Sequence, residues 1–212
     1  MKKLPSKTIE RLTQYRRILM HCLEGNCLSK GIKNVYSYEL ASLMHINPSH
    51  VRRDLMLLGL SGSKNKGYNI QYLTDSIGNV LNINKQKISI IGIGNLGRFF
   101  INYFNSSKQT NFFIVAAFDN NIKKINKTIL GIPCYDINEL SKIIEKENIS
   151  ICILTVPPVA AKKIADILVN TKIKGILNYT TIPLKIPSNI HLEEYDIITS
   201  LEKTSYFLSN ML

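Results

Sequence analysis

The spacing of apolar residues changes roughly one third of the way along the chain. Up to about residue 75, apolar positions recur every three or four residues, which predicts amphipathic helices. From Lys87 onward, short runs rich in isoleucine and valine alternate with helical stretches, a pattern typical of βα units around a mainly parallel sheet. The sequence therefore predicts an α/β fold class, with a helical N-terminal domain followed by a doubly wound parallel sheet.

Three helices are predicted in the first part of the chain. The first runs from Ser6 to Glu24 and ends at the Gly25-Asn26 pair. Its apolar stripe consists of Ile9, Leu12, Ile18, Leu19 and Leu23. The second begins after Ser37, which we expect to cap its N-terminus. The third is opened by Asn47-Pro48, because proline at the first helical position loses no hydrogen bond, and it extends to about Leu58.

The second and third helices form a predicted helix–turn–helix whose second helix is basic. After Gly59, residues 60–70 have the pattern of two short strands around a basic, glycine-flanked tip, which is a wing. Arginines can form paired hydrogen bonds with guanine edges or phosphates, and wing lysines can reach a groove or the backbone. The candidate DNA-binding residues are Ser49, His50, Arg52, Arg53, Lys64 and Lys66.

Two further interpretations concern this region. Asp54, inside the third helix, is expected to orient Arg52 or Arg53 rather than to contact DNA. The alternative to DNA binding is a three-helix packing module with a solvated cationic face.

A glycine-rich turn follows the predicted strand Lys87–Ile91 and precedes a predicted helix, Arg98–Asn105. The turn matches G-x-G-x-x-G in its required strand–turn–helix setting. Its first glycine permits the tight turn, the second lets the backbone approach a pyrophosphate, and the third lets the helix pack on the strand. The sequence therefore predicts a Rossmann-like domain. The loop's candidate cofactor-binding residues are Gly92, Ile93, Gly94, Asn95, Leu96 and Gly97.

Further candidate cofactor-binding residues follow the later strands. Asp119 ends the predicted strand Phe112–Phe118, where an acidic side chain can bind the adenosine ribose and would repel a 2′-phosphate, so NAD(H) is favoured over NADP(H). Ligands of open α/β sheets lie at the carboxyl ends of strands. The ends of the next two predicted strands therefore contribute Thr155, Val156, Pro157, Asn178 and Tyr179.

Net charge supports a polyanionic partner for the first domain. The 27 lysines and arginines exceed the 15 acidic residues and give a net charge of +12. Residues 1–84 hold 12 basic and 5 acidic side chains, while residues 85–212 hold 15 and 10. The first part is thus more basic per residue, as expected for nucleic-acid binding. A general lysine-rich bias of composition is the alternative explanation.

Several classes of protein are disfavoured. The longest apolar runs, such as Ile151–Val156, are too short to cross a bilayer, and no signal peptide follows Met1, so we expect a soluble cytoplasmic protein. The four cysteines have no zinc spacing, and we interpret all of them as reduced and without metal. His191 is the one histidine of the cofactor half, and no acid–base constellation accompanies the glycine loop.

The coenzyme is therefore expected to be sensed rather than used in catalysis, and no catalytic residues are assigned. Two alternatives stay open. The first is a small NAD-dependent oxidoreductase with a basic accessory domain. The second is a module that binds CoA or another nucleotide.

Taken together, these motifs resemble the Rex family of redox-sensing transcriptional repressors over nearly the whole chain. The resemblance is carried by Arg11-Leu12, Tyr15–Leu19, Val51–Leu55, Gly59, Gly62, Gly67-Tyr68, Gly92–Gly97, Phe118-Asp119, Leu154–Pro157, Ile173–Asn178, Leu201 and Ser205–Phe207. It implies a repressor that binds a palindromic operator when NADH is low and is released by NADH, while NAD⁺ competes for the same pocket and favours the DNA-bound state.

The resemblance also implies a homodimer. Its expected domains are a winged helix over 1–84, a Rossmann-like NAD(H)-binding domain over 85–195, and a C-terminal helix over 196–212 that swaps into the partner subunit. By position, Arg17, Tyr103 and Asp196 match a polar trio that couples the nucleotide pocket to the orientation of the domains.

Overall fold

The computed structural model describes residues 4–24, 33–63, 65–81, 84–107 and 111–209. The chain divides into two compact units, Met1–Ile83 and Asn84–Leu212, each with its own hydrophobic core. In the part of the chain that the structure describes, no helix is long and apolar enough to cross a membrane.

The first unit is a winged helix. Its elements are α1 (Ser6–Leu23), β1 (Asn34–Val35), α2 (Ser37–Leu43), α3 (Pro48–Leu57), β2 (Tyr68–Asn69) and α4 (Ile70–Val80). Its core joins residues from all four helices, including Leu12, Tyr15, Leu19, Leu40, Val51, Leu55, Leu73 and Ile77. Asn47 caps α3 as predicted, because its side chain accepts a hydrogen bond from the Ser49 N–H at 2.9 Å.

Several details of this unit differ from the prediction. Tyr36, not Ser37, is the N-cap of α2, and the Glu39 carboxylate accepts the Tyr36 N–H at 2.7 Å. The second wing strand, β2, pairs with β1 from before the helix–turn–helix, while the wing itself closes through a bridge between Ser63 and Gly67. The sequence pattern did not identify α4 as a separate helix. The Gly25-Asn26 stop and Cys27 lie outside the described residues.

The second unit is a seven-stranded sheet with helices on both faces, so the predicted fold class is confirmed. Its elements are β3 (Gln86–Ile91), α5 (Asn95–Ser106), β4 (Phe112–Asp119), β5 (Lys127–Ile129), β6 (Ile132–Asp136), a 3₁₀ turn (Ile137–Glu139), α6 (Leu140–Glu147), β7 (Ile151–Leu154), α7 (Pro158–Leu168), β8 (Gly175–Asn178), β9 (His191–Glu194) and α8 (Ile197–Ser209). The strand order is β5-β6-β4-β3-β7-β8-β9, and only the β5–β6 pairing is antiparallel.

Alternate side chains of the central strands belong to two different hydrophobic clusters, one on each face of the sheet. Ile91 and Phe118 belong to a cluster with α6 and α7, whereas Ile90 and Ala117 belong to a cluster with α5. This is the period of two that a strand imposes on its side chains. Elements β5, β6 and α6 were not predicted, and α5 begins at Asn95, three residues before the predicted start. The sheet brings the glycine loop and Asp119 to one edge.

The described hydrophobic clusters include no residue of the C-terminal helix α8. All its residues are exposed, including Ile197, Leu201, Tyr206 and Phe207. Among the described residues, Cys134 and Cys152 are buried thiols that form no disulfide bond.

Candidate dinucleotide pocket and nucleic-acid interface

A cleft of about 640 Å³ opens at the carboxyl ends of β3, β4 and β7. Nine of the sequence-predicted cofactor residues line it, namely Gly92, Ile93, Gly94, Leu96, Asp119, Thr155, Val156, Pro157 and Tyr179. Its volume is in the range of small-molecule and cofactor sites. The parallel topology produces this convergence, because the ends of neighbouring strands meet at one edge of the sheet.

The glycine loop is held in a conformation that requires glycine at two positions. Gly92 has φ +96°, and a Cβ there would stand 2.8 Å from the Thr155 carbonyl oxygen. A Cβ at Gly97 would stand 2.1 Å from the Gly92 carbonyl oxygen. The Thr155 hydroxyl donates to that same Gly92 oxygen at 2.7 Å, which fixes the loop against β7. Helix α5 starts at the loop and has no acidic residue in its first turn, so its N-terminus favours an anion.

Asp119 lines the cleft and is held by three hydrogen bonds. Its Oδ2 accepts the Ile93 N–H at 2.9 Å and the Lys124 ammonium at 2.8 Å, and its Oδ1 accepts the Asn121 N–H at 2.9 Å. Burial acts to raise the pKa of this carboxyl, but the hydrogen bonds from Lys124, Asn121 and Ile93 outweigh burial and hold the pKa below its usual value. Asp119 is therefore ionised at neutral pH, so its carboxylate acts only as a hydrogen-bond acceptor.

Sequence reasoning missed part of the pocket. Lys124, five residues after Asp119, also donates to the Ile93 carbonyl oxygen at 2.8 Å and so holds the loop and the carboxylate together. The remaining wall is largely apolar and includes Ile137, Asn138, Ala160, Lys163, Ile164 and Ile167. The residues of this wall that belong to α7 recur every three or four positions, a helical spacing that is visible in the sequence. Ile137 and Asn138 follow β6, which no sequence signal revealed.

Three predicted cofactor residues have other placements. Asn95, Gly97 and Asn178 do not line the cleft. The buried Asn178 amide donates to the Ile182 carbonyl at 2.9 Å and to Glu194 at 3.2 Å, and accepts from the Thr180 N–H and hydroxyl. Both ends of its amide have protein partners, so Asn178 organises the loop after β8, and its contact with a cofactor stays a prediction.

Tyr179, in contrast, lies at the cleft. Its ring stacks on Tyr195 with a centroid distance of 4.7 Å and packs on Phe100 at 4.7 Å. Burial and the neighbouring Tyr195 raise the pKa of its hydroxyl, so it is protonated at neutral pH and can donate a hydrogen bond.

Helix α3 presents a cationic surface. Ser49, His50, Arg52 and Arg53 are exposed on it, as is Lys66 of the wing, whereas Lys64 lies outside the described residues. Ser49, Arg52 and Arg53 line a shallow surface depression together with Met56 and Leu57. The exposed Met56 and Leu57 were not predicted. Apolar side chains beside arginines suit contact with thymine methyl groups.

Asp54 does not orient Arg52 or Arg53, and that prediction is wrong. Its carboxylate is buried and accepts two hydrogen bonds from Arg11 of α1, at 2.6 and 2.7 Å, and one from the Tyr15 hydroxyl at 2.9 Å. These bonds hold the pKa of Asp54 below its usual value even though burial acts to raise it. Asp54 therefore anchors α3 to α1.

The three residues expected to couple pocket and domain orientation have separate environments. Arg17 is exposed on α1. Tyr103 is exposed on α5, with its ring 6.2 Å from that of Phe99 and 5.7 Å from that of Phe104. The Asp196 carboxylate caps α8, accepting the Ile198 and Thr199 N–H groups at 3.1 and 3.2 Å. Bonds from the Thr199 hydroxyl and these N–H groups lower the pKa of Asp196.

Within the described ranges, no group of three or more histidine, cysteine, aspartate or glutamate side chains is arranged to hold a metal ion.

Two family models match the chain. One, described as a CoA binding domain, matches residues 83–182, and one described as a putative DNA-binding protein N-terminus matches residues 3–55. A relative from Geobacillus kaustophilus, named redox-sensing transcriptional repressor Rex, is 38% identical over 209 residues, which are 98% of this chain and 95% of the relative. Relatives with the same name from Bacillus licheniformis and Listeria welshimeri are 37% and 34% identical, over 98% of this chain and 94% of each relative.

Solved structures agree with these relatives. The crystal structure of RSP, described as a Rex-family repressor, has a TM-score of 0.84 and 30% identity, and the match covers 100% of this chain and 96% of that one. RSP in complex with β-NAD⁺ and operator DNA matches with a TM-score of 0.86 and 31% identity, over 100% and 95% of the two chains. RSP in complex with β-NADH matches with a TM-score of 0.84 and 30% identity, over 100% and 97%.

Proposed function

The chain belongs to the Rex family of redox-sensing transcriptional repressors, and we propose that it binds a palindromic operator when NADH is low and leaves it when NADH binds. The observation that carries this function is the presence, in one chain, of a cationic winged helix and a glycine-loop pocket, with repressors of this family matching 98% of it. Because its close relatives are repressors, the protein is a regulator and not an enzyme.

NADH and NAD⁺ are the nucleotides that this pocket is proposed to hold. The pyrophosphate would lie against the N-terminus of α5 at the glycine loop, where no side chain intervenes at Gly94. Asp119 would accept the hydroxyls of the adenosine ribose. The apolar wall around Ile164 and Ile167 suits the adenine, and the segment Thr155–Pro157 with Tyr179 suits the nicotinamide half.

DNA is proposed to contact α3 and the wing. Arg52 and Arg53 are exposed on α3 and would bind guanine edges or phosphates, with Ser49 and His50 beside them. Lys66, together with Lys64, would contact the backbone. Asp54 supports this surface from behind, since it fixes α3 while leaving both arginines exposed.

A homodimer is the proposed functional form. Helix α8 exposes Leu201, Tyr206 and Phe207 and packs on no core of its own chain, which supports insertion into a partner subunit. Arg17, Tyr103 and Asp196 are proposed to couple nucleotide binding to domain orientation across that dimer. A shift from 1:99 to 99:1 between two dimer shapes requires NADH to bind one of them about 10⁴-fold more tightly.

The domain limits that we propose are 1–84 for DNA binding, 85–195 for the nucleotide and 196–212 for the swapped helix. A repressor of this kind acts where the chromosome is, so we propose a cytoplasmic location.

A gel-shift titration tests the proposed function. Purified protein is added to DNA carrying a palindromic operator selected from random sequence, and NADH, NAD⁺ and CoA are added separately. We expect NADH to release the DNA, NAD⁺ to leave it bound, and CoA at the same concentration to have no effect. Release by neither NADH nor NAD⁺, or release by CoA alone, would contradict the proposal.

Two substitutions separate the two sites. Arg52→Ala should weaken operator binding at least tenfold and reduce the salt dependence of binding, while NADH affinity stays unchanged. Asp119→Ala should weaken NADH binding, so that the variant binds the operator but is released poorly. Loss of both activities in either variant would indicate a folding defect instead.

A further inference from the structure

A second cavity lies at the opposite end of the sheet from the glycine loop. It has a volume of about 1020 Å³ and lies at the amino ends of β3, β7 and β8. We call it the lysine cavity, because its lining includes Lys85, Lys87, Lys172 and Lys174. It shares no described lining residue with the cleft at the glycine loop. The nucleotide function proposed above therefore does not account for it.

The charge of this cavity is almost uncompensated. None of the described residues that line it is acidic. Lys87 has a nearby carboxylate, that of Glu147 at 3.6 Å, and the Lys85 ammonium lies 6.0 Å from the centre of the Phe113 ring. Lys172 and Lys174 make no ion pair within the described ranges. Several ammonium groups around one concave surface repel one another and concentrate anions.

Strand register fixes the spacing of these charges. The Ser150 N–H donates to the Lys87 carbonyl at 3.1 Å, and the Lys174 N–H donates to the Ser150 carbonyl at 2.8 Å. Lys87 of β3 and Lys174, just before β8, therefore lie on either side of Ser150, and their backbones are roughly 10 Å apart, at two strand spacings. The Ser150 hydroxyl donates to Gln86 Oε1 at 2.5 Å, which leaves the Gln86 amide NH₂ as a neutral donor at the same rim.

We propose that the lysine cavity binds a small phosphate-rich anion, either an inorganic polyphosphate or a nucleoside polyphosphate. Separate phosphates of one polyphosphate would pair with ammonium groups at the starts of β3 and β8, and Gln86 would donate to a phosphate oxygen. A concave site of this size suits a small molecule, whereas a DNA duplex presents a convex backbone. The half-exposed Phe113 ring offers a surface on which a nucleobase can stack.

Isothermal titration calorimetry with inorganic triphosphate tests this site in the full-length protein saturated with NADH. The excess NADH fills the glycine-loop cleft, so a second binding event reports another site. The test variant is Lys172→Gln/Lys174→Gln, the charge-retaining variant is Lys172→Arg/Lys174→Arg, and the matched control is Lys142→Gln/Lys146→Gln on α6, where both lysines are exposed. Each variant is checked for an unchanged melting temperature and NADH affinity.

We expect the test variant to bind triphosphate at least tenfold more weakly than the wild type, and the arginine and control variants to stay within about threefold of it. Titration with ATP then distinguishes the two sources. If ATP binds more tightly than triphosphate and Phe113→Leu removes the difference, the ligand is a nucleoside polyphosphate. Equal affinities indicate an inorganic one, and both results support the site.

Three results would overturn the proposal. The first is the same loss of triphosphate affinity in the control as in the test variant, since this would reflect net charge alone. The second is triphosphate binding that NADH abolishes, which would assign the anion to the glycine loop. The third is a test variant that loses operator affinity and keeps triphosphate affinity, because the lysines would then contact DNA.

Discussion

Replacing Asp54 with asparagine should destabilise the winged helix selectively. The Asp54 carboxylate, which is 1% exposed, accepts hydrogen bonds from Arg11, the Tyr15 hydroxyl and, at 3.3 Å, the Thr8 hydroxyl. Asparagine keeps one acceptor oxygen but turns an NH₂ group toward a guanidinium that can only donate. The substitution therefore leaves a buried charge unpaired without changing the volume of the side chain.

The expected loss of stability can be worked out from the burial of the ion pair. Removing one partner of a buried ion pair costs about 3–5 kcal/mol. The Arg11 side chain is 25% exposed and regains some hydration, so we expect about 3 kcal/mol here. For a domain of this size, 1 kcal/mol corresponds to about 4–8 °C, which predicts a fall of roughly 12–24 °C in the melting temperature of the first unit.

Circular dichroism melting and operator binding measure the effect. We expect the first unit to melt earlier and operator affinity to fall above its new melting temperature, while NADH still binds the second unit. Asp75→Asn is the control, because Asp75 is exposed and its one described partner is Gln71, at 3.0 Å. Such surface changes alter stability by less than about 0.5 kcal/mol.

The pH dependence gives an independent check. Because the native state lowers the pKa of Asp54, its stabilising contribution is complete above the unfolded pKa of about 3.9 and disappears as pH falls through the lower folded value. The difference in stability between wild type and Asp54→Asn should therefore shrink below about pH 4. A variant that melts with the wild type, or that loses operator binding with unchanged stability, would refute this reasoning.

Three more predictions concern the second unit. Gly97→Ala should lower its melting temperature by several degrees, because the added methyl would meet the Gly92 oxygen at 2.1 Å. Gly94→Ala should leave the melting temperature nearly unchanged, since a Cβ added there would meet no atom within 4 Å. It should weaken NADH binding at least tenfold, as measured by fluorescence titration, because the added methyl group would occupy the space through which the pyrophosphate approaches the backbone. Burial raises the pKa of Cys152 to about 12, so we expect this thiol to be modified at pH 8 only on unfolding, as measured by alkylation and peptide mass mapping. Rapid modification of Cys152 itself in the native protein would contradict this prediction.

Local features of the chain were predicted well. The Asn47-Pro48 start of α3 and the turn at Gly92–Gly97 appear where the sequence indicates them. Both depend on backbone angles and caps that a few consecutive residues determine. The start of α5 was predicted three residues too late, because the glycines indicated that the loop extends to Gly97. In the structure, Asn95, Leu96 and Gly97 form the first turn of the helix.

Features that depend on distant partners were missed. Asp54 lies 43 residues from Arg11, and nothing in the neighbourhood of either residue indicates that they pair. Lys124 was not assigned to the pocket, because its contacts with Asp119 and Ile93 exist only when β4 lies beside β3. The short β5 and β6 strands gave no clear alternation, so α6 and the Ile137 wall of the cleft were also not predicted.

By itself, the sequence determined the α/β class, the helix–turn–helix, the glycine loop between β3 and α5, and the two kinds of chemistry, because hydrophobic period, glycine placement and charge are properties of short segments. The tertiary structure alone decided which side chains meet. It turned Asp54 from a partner of neighbouring arginines into an anchor for α3, made Asn178 an organiser of its loop, and brought lysines from the starts of two strands, β3 and β8, around one cavity. Such pairings depend on strand order and helix packing, which bring together residues that are far apart along the chain.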